Sequence, residues 1–182
     1  MNIAVIGTGM VGRLIAVELS KKYQVYAIDN NTTNLNILKK LNSKIITKKM
    51  DVENEDFLES LEDTEIIVNC VPGFMGFETS KKILEKKTCV DISFMPEDCN
   101  ELKNITDEAK TALYPDAGVA PGLSNMIVGN LISKNNLKEI KIMVGGLPIE
   151  KSPPWNYKAP FSPIDVIEEY TRPARIKING DI

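Results

Sequence analysis

The sequence predicts an α/β fold built on a doubly wound parallel sheet, with helices on both faces. Short apolar runs rich in Val and Ile alternate along the chain with helical segments of roughly ten residues. One run, Ile66-Ile67-Val68, has no polar position, as expected for a parallel strand that is buried on both faces. Right-handed crossovers bring the carboxyl ends of all strands to one edge of the sheet, where ligands bind.

The predicted elements fall into two groups, and we place a domain boundary between residues 116 and 117, where the chain becomes turn-rich. For the first domain, 1–116, strands are predicted at 3–6, 24–29, 44–49, 65–71, 88–93 and 112–114, and helices after residue 12 and at 32–41, 55–61, 78–87 and 97–110. For the second, an α+β domain at 117–182, helices are predicted at 123–133 and 163–170, and strands at 139–144 and 175–178.

The end of the chain predicts that the second domain is incomplete. Asn179-Gly180 is the strongest kind of short hairpin signal, yet only two residues follow it. A return strand of two residues cannot complete a hairpin. We therefore expect this chain to be a truncated form of a longer protein and to hold only the start of its second domain.

A glycine motif lies between the first predicted strand and the first helix. It reads Gly7-Thr8-Gly9-Met10-Val11-Gly12, the G-x-G-x-x-G pattern that cradles the pyrophosphate of a dinucleotide. Gly7 permits a tight turn, Gly9 lets a phosphate approach the backbone, and Gly12 lets the helix pack closely. The helix N-terminus adds unpaired N–H groups and a partial positive charge. The alternative is a glycine-rich turn without a ligand, and the flanking strand and helix favour the dinucleotide.

Acidic residues after the second and third strands indicate the adenosine side of this site. Asp29 lies 17 residues after Gly12, near the spacing of the carboxylate that binds a ribose 2′-OH in Rossmann domains. A carboxylate there repels a 2′-phosphate, and Asn30 follows it without a cation, so NAD is favoured over NADP. Arg13 is the residue that could still reach a phosphate. Asp51-Val52 is expected beside the adenine, with a simple helix-start acid as the alternative.

The end of the fourth predicted strand indicates the nicotinamide side. The backbone of Cys70, Val71 and Pro72 is expected to line the nicotinamide ribose. The glycines in residues 73–76 would let the intervening Phe74 and Met75 move over the cofactor. An ordinary strand-to-helix loop is the alternative.

Composition excludes several other classes of function. The formal charge of −3 and the pI near 5.2 give no reason to expect nucleic acid or an anionic membrane as partner. No apolar run approaches the length of a membrane span, so we expect a cytoplasmic protein. The chain has no histidine, and its three cysteines lack a C-x-x-C spacing, so neither a metal site nor a Ser-His pair is expected.

Several stretches resemble the saccharopine dehydrogenase-like oxidoreductases, most closely the lysine 6-dehydrogenase branch. The middle and late stretches are more specific than the glycine motif, and the likeness runs over essentially all of the chain. The resemblance implies a longer homodimeric protein, in which a substrate and dimerisation domain is inserted into the nucleotide-binding domain. The matching stretches are 5–12, 69–73, 116–125, 144–148, 157–162 and 169–174.

The resemblance also implies the chemistry, which is oxidation of an amine or amino acid by hydride transfer to NAD. A base must accept a proton from the substrate ammonium, and a cation must hold its carboxylate. Asp116 follows the sixth predicted strand and is the first candidate for the base, with helix capping or turn stabilisation as the alternative. Tyr157 and Lys158 could bind a carboxylate and shuttle a proton, or be a packing Tyr and a solvated Lys. Arg172 offers a planar fork, or a structural ion pair.

Two other readings of the function remain open. A non-catalytic nucleotide-sensing module, of the kind that regulates potassium transport, also pairs a glycine motif with an acid after the second strand. Residues 116–175 favour the dehydrogenase, because a sensing module has no need for them. A truncated chain could also bind NAD without being active.

Overall fold

A six-stranded parallel sheet forms the centre of the protein and confirms the predicted fold class. The computed structural model describes residues 1–154, 156–158 and 163–172. The strands follow the order β3-β2-β1-β4-β5-β6. Strands β2 and β3 are thus added on one side of β1, and β4, β5 and β6 on the other, so the strand order reverses between β1 and β4. The strands are β1 Asn2–Ile6, β2 Gln24–Asp29, β3 Ile46–Lys49, β4 Ile66–Asn69, β5 Thr88–Asp91 and β6 Leu113–Tyr114.

Helices cover both faces of this sheet. Helices α1 and α2 contact each other, as do α3 and α4. Two short 3-10 helices, Glu59–Leu61 and Cys99–Leu102, complete the connections. The α-helices are α1 Met10–Leu19, α2 Thr32–Leu41, α3 Gly73–Leu84, α4 Lys103–Ala109, α5 Leu123–Ile132 and α6 Pro163–Thr171.

The alternation of side chains along each strand divides the core into two layers. In β1, Ile3 and Val5 point to one face and pack with Ala16 of α1 and Leu38 of α2. Ala4 and Ile6 belong to the other layer, which contains Ile83 and Leu84 of α3 and Phe57. Both layers consist of almost fully buried apolar side chains, so β1 needs apolar residues at each position from Ile3 to Ile6.

The chain forms two compact units, Met1–Ile142 and Met143–Ile182. The first contains the whole sheet and helices α1 to α5, and the second contains α6. The domain boundary expected between residues 116 and 117 stays a prediction. In the described residues, no helix has both the length and the apolar character needed to cross a membrane.

Besides α3, which begins at Gly73 and not at residue 78, three predicted elements differ from the structure. The helix expected at 55–61 is reduced to a single 3-10 turn, because successive turns bury Phe57 and Leu61 instead. The helix expected at 97–110 begins only at the 3-10 turn of Cys99 and ends where Lys110 adopts a left-handed φ of 57°. The strand expected at 139–144 does not form, since no strand of the described residues pairs with it. The strand at 175–178 and the Asn179-Gly180 hairpin lie outside the described residues.

Ile67 in the central strand β4 should make a large contribution to stability. Its side chain is 0% exposed, and truncation to Ala leaves a cavity, so we expect Ile67→Ala to lower the free energy of unfolding by about 2–5 kcal/mol. Ile46 in the edge strand β3 is 47% exposed and provides the control. Ile46→Ala should change the same quantity by less than about 1 kcal/mol. Urea denaturation measures both, and equal losses would contradict the assigned core.

Candidate functional site

The loop between β1 and α1 is shaped by two glycines that the protein's own packing requires. Gly7 has a φ of +84°, and a Cβ on it would lie 2.7 Å from the Cys70 carbonyl oxygen. A Cβ on Gly12, in the first turn of α1, would lie 2.0 Å from the Gly7 carbonyl oxygen. No side chain fits at either position. The two glycines therefore bring α1 against the end of β1, next to the end of β4.

Gly9 is different, because packing does not explain it. Apart from its own neighbours in the chain, a Cβ on Gly9 would meet no atom of the described residues within 4 Å, and its φ of −61° is accessible to any residue. Gly9 is also the N-cap of α1, and no side chain caps this end of the helix. Free space over an uncapped helix N-terminus suits an anionic group such as a pyrophosphate. Met10 and Val11, which follow, are both exposed at this surface.

Asp29, the last residue of β2, holds the glycine loop in place. Its Oδ2 accepts hydrogen bonds from the Thr8 backbone N–H at 2.7 Å and the Thr8 hydroxyl at 2.8 Å. The Asn34 amide also donates to Oδ2, at 3.2 Å, and the Asn31 N–H donates to Oδ1 at 2.7 Å. Asp29 thus carries a structural role that the sequence did not reveal. A ribose hydroxyl would have to bind Oδ1, which accepts one of these four hydrogen bonds whereas Oδ2 accepts three.

The residue after Asp29 is hydrogen-bonded to the acid that follows β3, as the parallel pairing of β2 and β3 allows. The Asn30 amide donates to Asp51 Oδ2 at 2.9 Å, and the Glu53 N–H donates to Asp51 Oδ1 at 3.0 Å. These two hydrogen bonds hold the pKa of the Asp51 carboxyl below its usual value. Asp51 is therefore negatively charged at neutral pH, and Val52, which follows it, is buried.

The end of β4 meets the glycine loop directly. The Cys70 N–H donates to the Ile6 carbonyl oxygen at 2.8 Å, Val71 is buried, and Pro72 is exposed as the N-cap of α3. Burial raises the pKa of the Cys70 thiol, so it stays protonated and is a poor nucleophile. These residues lie at the same sheet edge as Gly7, where we expected them. Their contact with a nicotinamide ribose stays a prediction.

Residues 73–76 were expected to precede the helix and to let Phe74 and Met75 move over the cofactor; the first expectation is wrong, and the movement stays a prediction. Helix α3 begins at Gly73 rather than near residue 78, so this segment forms its first turn. Gly76 is fixed by close packing, because a Cβ there would lie 1.9 Å from Ser93 Oγ. Phe74 is nevertheless 69% exposed on this turn. Its aromatic ring lies at the ligand edge, and its backbone belongs to a helix and not to a loop.

A buried polar cluster behind this turn was missed by the sequence analysis. Asp91, the last residue of β5, is 1% exposed, and its carboxylate accepts hydrogen bonds from four donors. The signal that could have found it is the one that identified Asp29, namely a polar residue that ends a buried strand. The donors are the amide of Asn69, the hydroxyl of Ser80, and both the N–H and the hydroxyl of Ser93.

Asp116 lies in the loop that follows β6, at the same edge of the sheet. It adopts a left-handed φ of 51°, and its side chain is exposed. Its carboxylate makes no hydrogen bond or ion pair within the described part of the chain. The alternative role as a helix cap is not seen, because Gly122 is the N-cap of α5 and the Asn125 side chain accepts its N–H. Asp116 is thus an available carboxylate at the ligand edge.

The other three catalytic candidates belong to the second compact unit. Tyr157 and Lys158 are exposed, and the Lys158 N–H donates to the Gly146 carbonyl oxygen at 3.1 Å. Arg172 follows α6, and its guanidinium forms an ion pair with Glu168 one helical turn earlier. This pair matches the structural alternative for Arg172. Catalytic roles for these three residues stay predictions.

Comparison with known families adds to this geometry. Residues 3–119 match the family model described as the saccharopine dehydrogenase NADP binding domain. Residues 118–182 match the saccharopine dehydrogenase C-terminal domain. The chain belongs to the saccharopine dehydrogenase family. The resemblance seen in the sequence is thereby confirmed, and the glycine loop and Asp29 lie within the part of the family that binds a nicotinamide dinucleotide.

Relatives of known name are similar over most of this chain but are much longer. The mitochondrial alpha-aminoadipic semialdehyde synthase of Rattus norvegicus is 26% identical over 174 residues, covering 91% of this chain and 17% of that protein. The Mus musculus protein of the same name is 23% identical over 194 residues, covering 100% of this chain and 21% of that protein. The chain therefore spans about a fifth of the length of these relatives.

Solved structures share the fold. The saccharopine dehydrogenase (L-Glu forming) of Saccharomyces cerevisiae superposes with a TM-score of 0.64 at 20% identity, covering 73% of this chain and 31% of that chain. The scyllo-inositol dehydrogenase of Lactobacillus casei gives a TM-score of 0.53 at 16% identity, covering 74% and 41%. Both likenesses support the fold of the sheet and its helices.

The glycines of the loop should separate stability from binding. We expect Gly9→Ala to leave the melting temperature nearly unchanged and to weaken dinucleotide affinity about tenfold or more, because its methyl group fills the free space. Gly12→Ala should instead cost about 1–3 kcal/mol of stability, because its Cβ overlaps the Gly7 carbonyl oxygen.

Thermal denaturation and binding calorimetry on the two variants check this pair of outcomes. Unchanged dinucleotide affinity in the folded Gly9→Ala variant would show that the pyrophosphate does not pass over Gly9.

Proposed function

We propose that this chain is the dinucleotide-binding part of an NAD-dependent oxidoreductase that oxidises a lysine-type amine or amino acid. The observation that carries the proposal is the free space over Gly9 at the uncapped N-terminus of α1, with Asp29 at the end of the neighbouring strand. Membership of the saccharopine dehydrogenase family supports the class of reaction. The more specific likeness to the lysine 6-dehydrogenase branch is part of the proposal.

The charges on the adenosine side favour NAD over NADP. Asp29 and Asp51 place two carboxylates at the ends of adjacent strands, and a 2′-phosphate on the ribose would bring further negative charge towards them. Arg13 is the nearest cation of the loop, and its Nε donates to the Gly9 carbonyl oxygen at 3.1 Å. The family model that matches this part of the chain is described as NADP binding. The proposed preference for NAD therefore rests on Asp29 and Asp51 of this chain and not on the family.

The proposed reaction assigns proton handling and substrate binding to the protein. The nicotinamide, when bound, supplies the acceptor for the hydride that leaves the amine-bearing carbon. Asp116 is the proposed acceptor of the proton from the substrate ammonium, because its exposed carboxylate lies at the ligand edge. Loss of that proton and of the hydride converts the amine to an imine, which water opens. Tyr157, Lys158 and Arg172 are proposed to bind the substrate carboxylate.

The names of the relatives support a lysine-type substrate. The rat and mouse proteins are named for an aminoadipic semialdehyde, an amino acid that carries an aldehyde. Hydrolysis of an imine at the end of a lysine-type side chain gives an aldehyde of that kind. The match of residues 118–182 to the C-terminal saccharopine dehydrogenase domain favours this function over a nucleotide-sensing module.

Calorimetry with NAD and NADP tests the proposed cofactor, and dinucleotide reduction with lysine or saccharopine tests the reaction. We expect binding of NAD, and spectroscopic formation of NADH if this chain contains the machinery it needs. Binding of NAD without turnover would support a non-catalytic or inactive fragment. Binding of neither dinucleotide would contradict the cofactor assignment.

Asp29 should set the preference between NAD and NADP. In Asp29→Asn, the amide oxygen can still accept a hydrogen bond from Thr8, but the negative charge is lost. We therefore expect the ratio of NADP to NAD dissociation constants to fall about tenfold. Asp107→Asn, an exposed acid paired with Lys103 in α4, is the matched charge control and should leave the ratio unchanged.

Equal ratios in wild type and Asp29→Asn, measured by calorimetry at constant ionic strength, would remove Asp29 from the discrimination.

A further inference from the structure

The carboxylate of Asp91 is buried at the carboxyl end of β5, and it is the acceptor in each of its four hydrogen bonds. Ser93 donates through its N–H at 2.9 Å and its hydroxyl at 2.8 Å to Oδ1. The Asn69 amide, at 2.8 Å, and the Ser80 hydroxyl, at 3.0 Å, donate to Oδ2. Four donors and no acceptor match the ionised form of the carboxylate.

The hydrogen bonds of the carboxylate join the end of β4, helix α3 and the loop after β5, and the backbone carbonyl of Asp91 adds a link to the loop after β6. Asn69 ends β4, and its amide also donates to the Gly76 carbonyl oxygen at 3.2 Å in the first turn of α3. Ser93 belongs to the loop after β5. The backbone carbonyl oxygen of Asp91 accepts the Ala117 N–H at 2.8 Å, directly after the catalytic candidate Asp116. One residue therefore links the loops after β4, β5 and β6 at the ligand edge.

Stability alone does not account for this arrangement. Burial raises the pKa of Asp91, against the effect of its hydrogen bonds, because an ionised carboxylate is costly to remove from water. In the described residues, no Lys or Arg nitrogen lies within 4 Å of that carboxylate. Asn69 Oδ1 is buried without a hydrogen-bond partner, because its Nδ2 must face Asp91. A well-packed apolar cluster would avoid both costs.

We propose that the Asp91 carboxylate is a positioning group for the nicotinamide half of the dinucleotide site, acting through Asn69 and Ser93. This inference rests on the proposed function. The adenosine half depends on Asp29 and Asp51, at the ends of β2 and β3, which lie on the opposite side of β1 from β5. Loss of the Asp91 carboxylate should therefore disturb one half of the site and spare the other.

The test compares a full dinucleotide with a ligand that lacks nicotinamide. The probes are NAD+ and ADP-ribose, or NADP+ and its 2′-phosphorylated ADP-ribose if wild type binds only the phosphorylated form. For Asp91→Asn in the 182-residue chain, calorimetry should show about a tenfold loss of dinucleotide affinity. The affinity for the ADP-ribose probe should change by less than about twofold, an asymmetry that general destabilisation would not produce.

Two further variants keep the test decisive. Ser93→Ala removes one donor but keeps the buried charge, and should weaken dinucleotide affinity about threefold with ADP-ribose unaffected. It decides the question if Asp91→Asn does not fold. Thr64→Val is the matched control, because Thr64 is a buried hydroxyl that donates to the Leu61 carbonyl oxygen before the start of β4. It should lower the melting temperature and leave both affinities unchanged.

Wild-type dinucleotide affinity in a folded Asp91→Asn or Ser93→Ala variant would overturn the inference, as would equal losses for both ligands. Either result leaves the proposed cofactor intact if wild type binds the dinucleotide. Failure of wild type to bind dinucleotide or ADP-ribose would overturn the proposed function and this inference together.

Discussion

The close approach of three backbone segments at the end of β1 determines the rest of the site. The Gly7 carbonyl oxygen contacts the first turn of α1 at Gly12, and Gly7 in turn contacts the Cys70 carbonyl at the end of β4. This packing leaves no room for a side chain at either glycine. It fixes where α1 begins and therefore where its N-terminal N–H groups point. The free space over Gly9 is a consequence of this contact.

Most of the nucleotide-binding sheet could be predicted from the sequence, because local signals and the fold agree. The apolar runs around Ile3 and Ile67 form β1 and β4, and both core layers are filled as their alternation requires. Asn31 caps α2 by accepting the Thr33 N–H at 2.8 Å, as its place before the helix indicates. Agreement between local preference and global fold is what makes such elements predictable.

The errors arise where tertiary contacts override local preference. Residues 73–76 contain two glycines and suggested a loop, but packing of Gly76 against Ser93 makes them the first turn of α3. The Ile- and Val-containing segment at 139–144 suggested a strand, and strand formation depends on a neighbouring strand that the segment itself does not supply.

The candidate site was predictable only in part. The positions of Asp29 and Cys70 follow from the rule that parallel strands end at one edge, but hydrogen-bond partners such as Asn34 cannot be read from spacing. Asp91 was overlooked because the predicted strand ran on to Ser93, whereas β5 ends at Asp91 itself, which is therefore a polar strand end. Cys89, two residues earlier in β5, is an ordinary buried thiol, and burial raises its pKa to about 12.

The double use of the Asp29 carboxylate has a consequence for how cofactor choice could change, in evolution or in the laboratory. The same side chain that would meet the ribose also ties Thr8 and Asn31 to the end of β2. Replacing it with a small or basic residue would alter the shape of the glycine loop at the same time. A switch of cofactor is therefore easier to reach by first changing exposed neighbours such as Asn30. Asp29 is then kept, and so are its hydrogen bonds to Thr8 and Asn31.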